Sequence, residues 1–228
     1  MTGLTLTANV VNDNNDVNDN ILANVKDMAD SRYHHGDLRA ALLIQAEATL
    51  RVSGVDGLSL RELARAVGVS HGAPRRHFED KAALLEALVA EGFHRLGSTL
   101  AAAAEPDDRE FVATLKDVAI AYVRFAADNP ALVDLMSGSR YLADASDALV
   151  RAREVSFAPV RRLVETGQST GELAPGEVRR IGTLMFATLH GLATMANNKM
   201  IDPLDDQLIS DAINSMLTGL APSLVLRG

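Results

Sequence analysis

The chain contains no cysteine and no tryptophan. Without thiols there is no disulfide, no thiolate zinc site and no cysteine nucleophile. Aromatic residues make up only 4% of it, and no apolar run approaches the ~20 residues that a membrane helix needs. The opening residues do not pair a basic segment with an apolar one, which argues against a secretory leader. A reducing cytoplasm is the compartment that fits. Three signatures of catalysis are missing too: the HExxH zinc motif, the Gly-rich phosphate loop and the GxSxG nucleophile turn. No enzyme is expected on that ground, although an enzyme that assembles its site in space stays open, and turnover by the purified protein would separate the two. His94 and His190 have no third ligand at a metal-binding spacing, so neither metal nor cofactor is expected.

What is present is ordinary for a globular protein. There are 228 residues, 47% hydrophobic and 23% charged, enough for one or two domains with a real core. Alanine and leucine are abundant, which favours helix over sheet. The net charge is −8, but it is unevenly spread. Residues 1–30 carry one Lys against five Asp. Residues 31–81 carry eight Lys or Arg against six Asp or Glu, with four of the six histidines. The rest is acidic again, so one short segment is basic in an acidic protein.

Residues 1–30 are rich in Asn and Asp and hold no sustained period. Such composition buries too little apolar area to offset ordering entropy. The segment reads as a disordered acidic tail, with an arm that mimics nucleic acid as the alternative. Met28 is a natural place for the biological start. From Gly36 onward the pattern is helical. Leu38, Leu42, Ala46 and Leu50 recur at helical spacing behind Asp37, and Gly54 suits a left-handed stop. Ser59 and Glu62 form a capping-box pattern ahead of Leu60, Leu63, Ala64 and Val67. Gly68 ends that helix, and Ser70 can cap a third short one closing on Phe78. Asp80-Lys81 opens a longer helix. Further helices are expected over 107–127, from Pro130 to Met136, over 144–167, from Pro175 to about Asn198, and over 205–220. No strand pattern appears.

The basic stretch Leu60–Phe78 now has a reading. A helix that stops on Gly and restarts within a few residues is a helix-turn-helix. Ala64 is small where the helices cross, and Gly68 supplies the positive φ of the turn. The positions left exposed are the basic ones. Lys and Arg neutralise phosphates and release counterions, and Arg can donate twice to a guanine edge. A solvated charged helix face is the competing reading for Arg75-Arg76 taken alone.

The segment "GLSLRELARAVGVSHGAPRRHFEDKAALLEAL" resembles the N-terminal domain of the tetracycline-repressor family of bacterial regulators. "FAADNPALVDLM", "VETGQSTGELAP" and "ATLHGLATM" resemble a version of its C-terminal domain, so the likeness spans roughly residues 33–220. It implies an all-α homodimer. A three-helix DNA-binding domain (31–80) would precede a helical effector-binding and dimerisation domain (81–228). The partners it implies are double-stranded operator DNA and a small-molecule effector, with repression the expected outcome and a transcriptional activator, or an effector-binding or interaction protein without DNA binding, as the alternatives. The residues matching DNA contacts are Ser59, Arg61, Ser70, His71, Gly72, Ala73, Arg75, Arg76, His77 and Lys81. Two departures stand out. Pro74-Arg75 replaces the usual Leu-Tyr pair, passing a phosphate contact to Arg75. Pro74 lacks an N–H, which a first helical turn tolerates. Leu189 stands where a tryptophan is frequent. Tyr33-His34-His35-Gly36 reads as a helix lead-in or an arm for the minor groove.

An effector pocket would be mostly apolar with a few polar groups. Phe93, Tyr122, Phe125, Met136, Phe186 and His190 are the candidates, with His94, Tyr141 and Met185 behind them; core packing competes for each. The last two helices carry Ile181, Leu184, Leu192, Ile209, Ile213 and Leu217 among small residues, which suits a two-fold interface as well as a core.

Overall fold

The computed structural model describes residues 37–105, 110–138, 146–202 and 204–220. The acidic tail, Met28, the lead-in at 33–36, Asp107, Tyr141, Asp144 and Pro203 lie outside them. Within the described residues the fold is all-α, as expected, with nine helices and one 3-10 turn. They are α1 (Asp37–Ser53), α2 (Leu60–Ala66), the turn Pro74–Arg76, α3 (Lys81–Ala103), α4 (Phe111–Asp128), α5 (Pro130–Ser137), α6 (Asp147–Ser156), α7 (Ala158–Thr170), α8 (Val178–Asn197) and α9 (Asp206–Leu220).

Local signals place many of the ends. Gly54 adopts φ +64° after α1. Asp80 caps α3 by accepting from the Ala83 N–H at 2.8 Å. Ser146 accepts from the Leu149 N–H at the start of α6 and donates to Glu86 on α3. Asp205 accepts from the Leu208 N–H at the start of α9. Each satisfies one of the orphan donors of a helix N-terminus.

Three expectations need correction. Ser59 occupies the N-cap of α2 in extended conformation, but its side chain makes no capping bond. Glu62 turns instead to Arg65, 2.5 Å away, so the capping-box pattern is not realised. The single helix expected over 144–167 is two helices. Pro159 cannot donate to the carbonyl four residues back and its ring crowds that carbonyl. The chain therefore breaks at Phe157, and α7 restarts with Arg161 N–H on the Phe157 carbonyl at 3.0 Å. The element after Gly68 also departs from expectation: in place of a helix capped by Ser70 there is a single 3-10 turn, Pro74–Arg76.

The helices share one continuous core. Leu84, Leu88, Val89, Leu96 and Leu100 line the buried side of α3, which packs on α1, α4, α5 and α6. A Cβ at Gly97 would lie 2.9 Å from the Ser156 Cα, so α3 and α6 cross at backbone contact. α4 packs on α8 and α9. α1 contributes Leu42, Leu43, Ala46 and Leu50 to the same core and rests on α5.

Candidate nucleic-acid interface and effector region

α2 ends in a Schellman turn. The Val69 N–H donates to the Ala64 carbonyl at 2.9 Å and the Gly68 N–H to the Arg65 carbonyl at 3.3 Å. Gly68 has φ +75°, a conformation glycine adopts without steric cost. The chain then runs to a helix much shorter than expected. In a helix capped by Ser70, the first α-type bond would run from residue 74 to the Ser70 carbonyl. Residue 74 is proline and has no N–H to give. The Ser70 carbonyl takes the Ala73 N–H instead, at 3.0 Å. Ala73 becomes the cap and Pro74 the first residue of a one-turn 3-10 segment, where a missing N–H costs nothing. Pro74 and Phe78 point inward, Phe78 being 2% exposed.

That arrangement turns the bases outward. Arg61, Ser70, His71, Gly72, Arg75 and Arg76 are exposed; Ser59, Ala73, His77 and Lys81 are half-buried. Arg65 is paired with Glu62. Arg61, Arg75, Arg76 and Lys81 have no ion-pair partner among the described residues. Among those residues, then, no carboxylate neutralises the positive charge of this face. Arg39, which sequence reasoning missed, places its guanidinium 5.4 Å from the centroid of the Phe78 ring. No local signal marked this contact, because α1 makes it through tertiary packing.

The aromatic candidates divide into two groups. Tyr122 on α4 lies 2.9 Å from Nδ1 of His190 on α8. Burial pushes the Tyr122 phenol well above its ordinary range, because the low-dielectric surroundings disfavour the charged form. The protonated phenol can donate to Nδ1, which leaves the His190 proton on Nε2. Phe186 stacks on the His190 ring, centroids 5.2 Å apart. It meets Tyr122 and Phe157 edge-to-face at 5.5 and 5.7 Å, and Phe157 meets Phe93 at 6.5 Å. So the fold brings Phe93, Tyr122, Phe186 and His190 into one chain of rings. Phe157, at the α6–α7 break, is its unforeseen member, and Pro159 two residues on was the signal for that corner.

Phe125 and Met136 stand apart from this group. Phe125 lines a cleft of about 400 Å³ with Glu91, His94, Arg95, Ser98, Thr99 and Asn129. Met136 lies against Gly92. A second cleft of about 510 Å³ opens between α4, α8 and the start of α9. Leu189 is buried in the core.

Comparison with known proteins reads both halves alike. Residues 42–88 match the model described as "Bacterial regulatory proteins, tetR family", and residues 115–220 match "Tetracyclin repressor-like, C-terminal domain". The chain belongs to the tetracycline-repressor family. Among solved structures it is similar to a protein of unknown function from Rhodococcus sp. RHA1, 43% identical, with a TM-score of 0.75. That similarity covers 83% of this chain and 98% of the other. A tetracycline-repressor-family regulator from Marinobacter aquaeolei VT8 shares the fold at 18% identity and TM-score 0.68, over 82% of this chain and 97% of its own. PfmR of Thermus thermophilus, of the same family, does so at 17% and 0.59, over 78% and 97%. Nucleoid occlusion factor SlmA of Actinobacillus pleuropneumoniae is 29% identical over 107 residues, 46% of this chain. The chain spans about half the length of the curated relatives it matches. Family membership makes the fold around Gly68 a helix-turn-helix of the DNA-binding type, and among the described residues no helix is long and apolar enough to cross a membrane.

Proposed function

We propose that this chain is a cytoplasmic transcriptional repressor, a homodimer that reads a near-palindromic operator and is released by a small-molecule effector. The observation that carries the reading is the set of outward bases around the Gly68 turn that have no ion-pair partner among the described residues. Arg61, Arg75, Arg76 and Lys81 would contact phosphates and base edges, with Ser59, Ser70, His71, Gly72, Ala73 and His77 completing the face. Residues 31–80 would form the DNA-binding unit and 81–228 the effector and dimer unit. The effector would bind beside Phe93, Tyr122, Phe186 and His190. Phe125 and Met136 would take part only through a rearrangement of α4 and α5.

The dimer face would be the outer side of α8 and α9. Leu184 and Met195 are 51% and 38% exposed there, and Leu208 is 37% exposed. Ile181, Ile209 and Ile213 are buried within the protomer, so of the six apolar residues that the sequence singled out on these helices Leu184 is the one left exposed for a partner, with Leu192 and Leu217 half-covered.

A second reading has one observation in its favour: the recognition element is a single turn. It is an effector-binding protein that has lost DNA binding. Selection of bound fragments from a random DNA library by the purified protein, at ~0.15 M salt, separates them. Enrichment of a short inverted repeat supports the repressor; no enrichment, with or without residues 1–27, supports the second reading.

A further inference from the structure

Arg95, midway along α3, holds three segments at once. Its Nη1 donates to Glu47 Oε2 on α1 at 2.6 Å, and its Nη2 donates to Asn129 Oδ1 at 2.7 Å. Its guanidinium carbon lies 5.9 Å from the Phe125 ring centroid on α4. Neither partner is loose. Glu47 also accepts from Arg51 at 3.1 Å, and Asn129 donates its Nδ2 to the Phe125 carbonyl at 2.8 Å. Arg95 is 35% exposed and Glu47 16%, so water screens the pair only in part. Two separate acceptors fix the plane of the guanidinium fork, which a point charge could not do.

The placement is what gives this network a role. Glu47 stands on α1, which packs on α2, the first helix of the helix-turn-helix. Asn129 is the residue where α4 ends and α5 begins. Tyr122, in the ring cluster, lies on the same α4 about 10 Å earlier at 1.5 Å per residue. A change in the angle between α4 and α5 carries the Asn129 oxygen with it. The Arg95 fork can then keep both acceptors only if α1 follows.

We propose that Arg95 is a positioning residue that fixes the DNA-binding unit relative to the effector unit. Its fork between Glu47 and Asn129 is a polar link between them that adds to the packing of α1 on α5. The inference rests on the regulator reading for its purpose but not for its geometry.

The absence of cysteine allows a direct test. Spin labels go on Ala48→Cys in α1 and Thr166→Cys in α7, both exposed sites, in full-length protein diluted with unlabelled chains so that each molecule reports one protomer. The parent should give one narrow distance distribution. Arg95→Met keeps the apolar stem and removes the fork; its distribution should shift and roughly double in width, with Arg95→Lys between the two. Glu47→Gln should move it in the same direction, and it carries the test if Arg95→Met does not fold. Superposable distributions for parent and variant would overturn the proposal. With a selected operator in hand, inserting one base pair at its centre should weaken the parent by about tenfold or more and Arg95→Met by clearly less; an equal penalty would overturn it as well. If no operator is selected, the regulator reading fails, while the distance measurement still decides the link.

Discussion

Replacing Gly68 by alanine isolates the conformational demand of the turn. A Cβ at Gly68 would meet nothing within 4 Å, so no clash enters the result. What remains is φ +75°, which costs an L-residue about 1–2 kcal/mol. Alanine also narrows the unfolded ensemble, which returns about 0.4–1 kcal/mol. The net loss is then about 1 kcal/mol, or about 2–4 °C in the melting midpoint of a chain this size. Asparagine tolerates the left-handed region, so Gly68→Asn should lose less than Gly68→Ala. Gly72 is the internal control. It too has open space around its Cβ position, but its φ is not positive, so Gly72→Ala should be neutral or slightly stabilising. Urea denaturation followed by the helical circular dichroism signal measures all three. Equal midpoints for Gly68→Ala and Gly72→Ala, or an asparagine as costly as alanine, would refute the argument that the turn's geometry sets the requirement.

Other outcomes follow from the same structure. Arg75→Ala and Lys81→Ala should each weaken operator binding and lower its log–log salt slope by about 1 without changing the helical signal; an unchanged slope for both would remove them from the phosphate contacts. Tyr122→Phe removes the hydroxyl from His190 Nδ1 and should cost about 0.5–1.5 kcal/mol in denaturant titrations. The folded-state phenol holds its proton above the ordinary 10.0. Its contribution is therefore complete below pH 10 and is lost as pH rises beyond that value; parent stability should fall more steeply above it than that of Tyr122→Phe. Leu184→Asp places a charge on the exposed side of α8 and should convert a dimer to monomer in sedimentation equilibrium while leaving the melting curve of dilute protein little changed.

The parts of this fold that sequence displayed are those governed by neighbours in the chain. Leu38, Leu42, Ala46 and Leu50 share a face because of helical period alone. Gly54, Gly68 and Asp80 mark ends because their backbone or side chain answers a local need. Pro74 was legible in principle: counting four residues from Ser70 lands on it, and a proline there cannot donate. Pro159 was hidden by an apolar pattern that continues through both helices it separates, from Leu149 and Ala152 to Val160 and Val164. Where Ile181, Ile209 and Ile213 point, how Phe157 joins Phe186, and how Arg39 and Arg95 find their partners depend on contacts across dozens of residues. No period or spacing carries that information.

The shared core of α1 has a consequence for protein engineering. Leu42, Leu43, Ala46 and Leu50 are buried in one cluster with residues of α3, α4 and α5, so the helix-turn-helix unit is not a portable cassette. Cutting after Asp80 would strip α1 of its support on α5 and bare a greasy strip that an isolated fragment cannot cover. A chimera that gives this DNA reader a new sensor would need to carry α5 and the Asn129 corner with it, because the join between reader and sensor runs across a surface and not through a hinge.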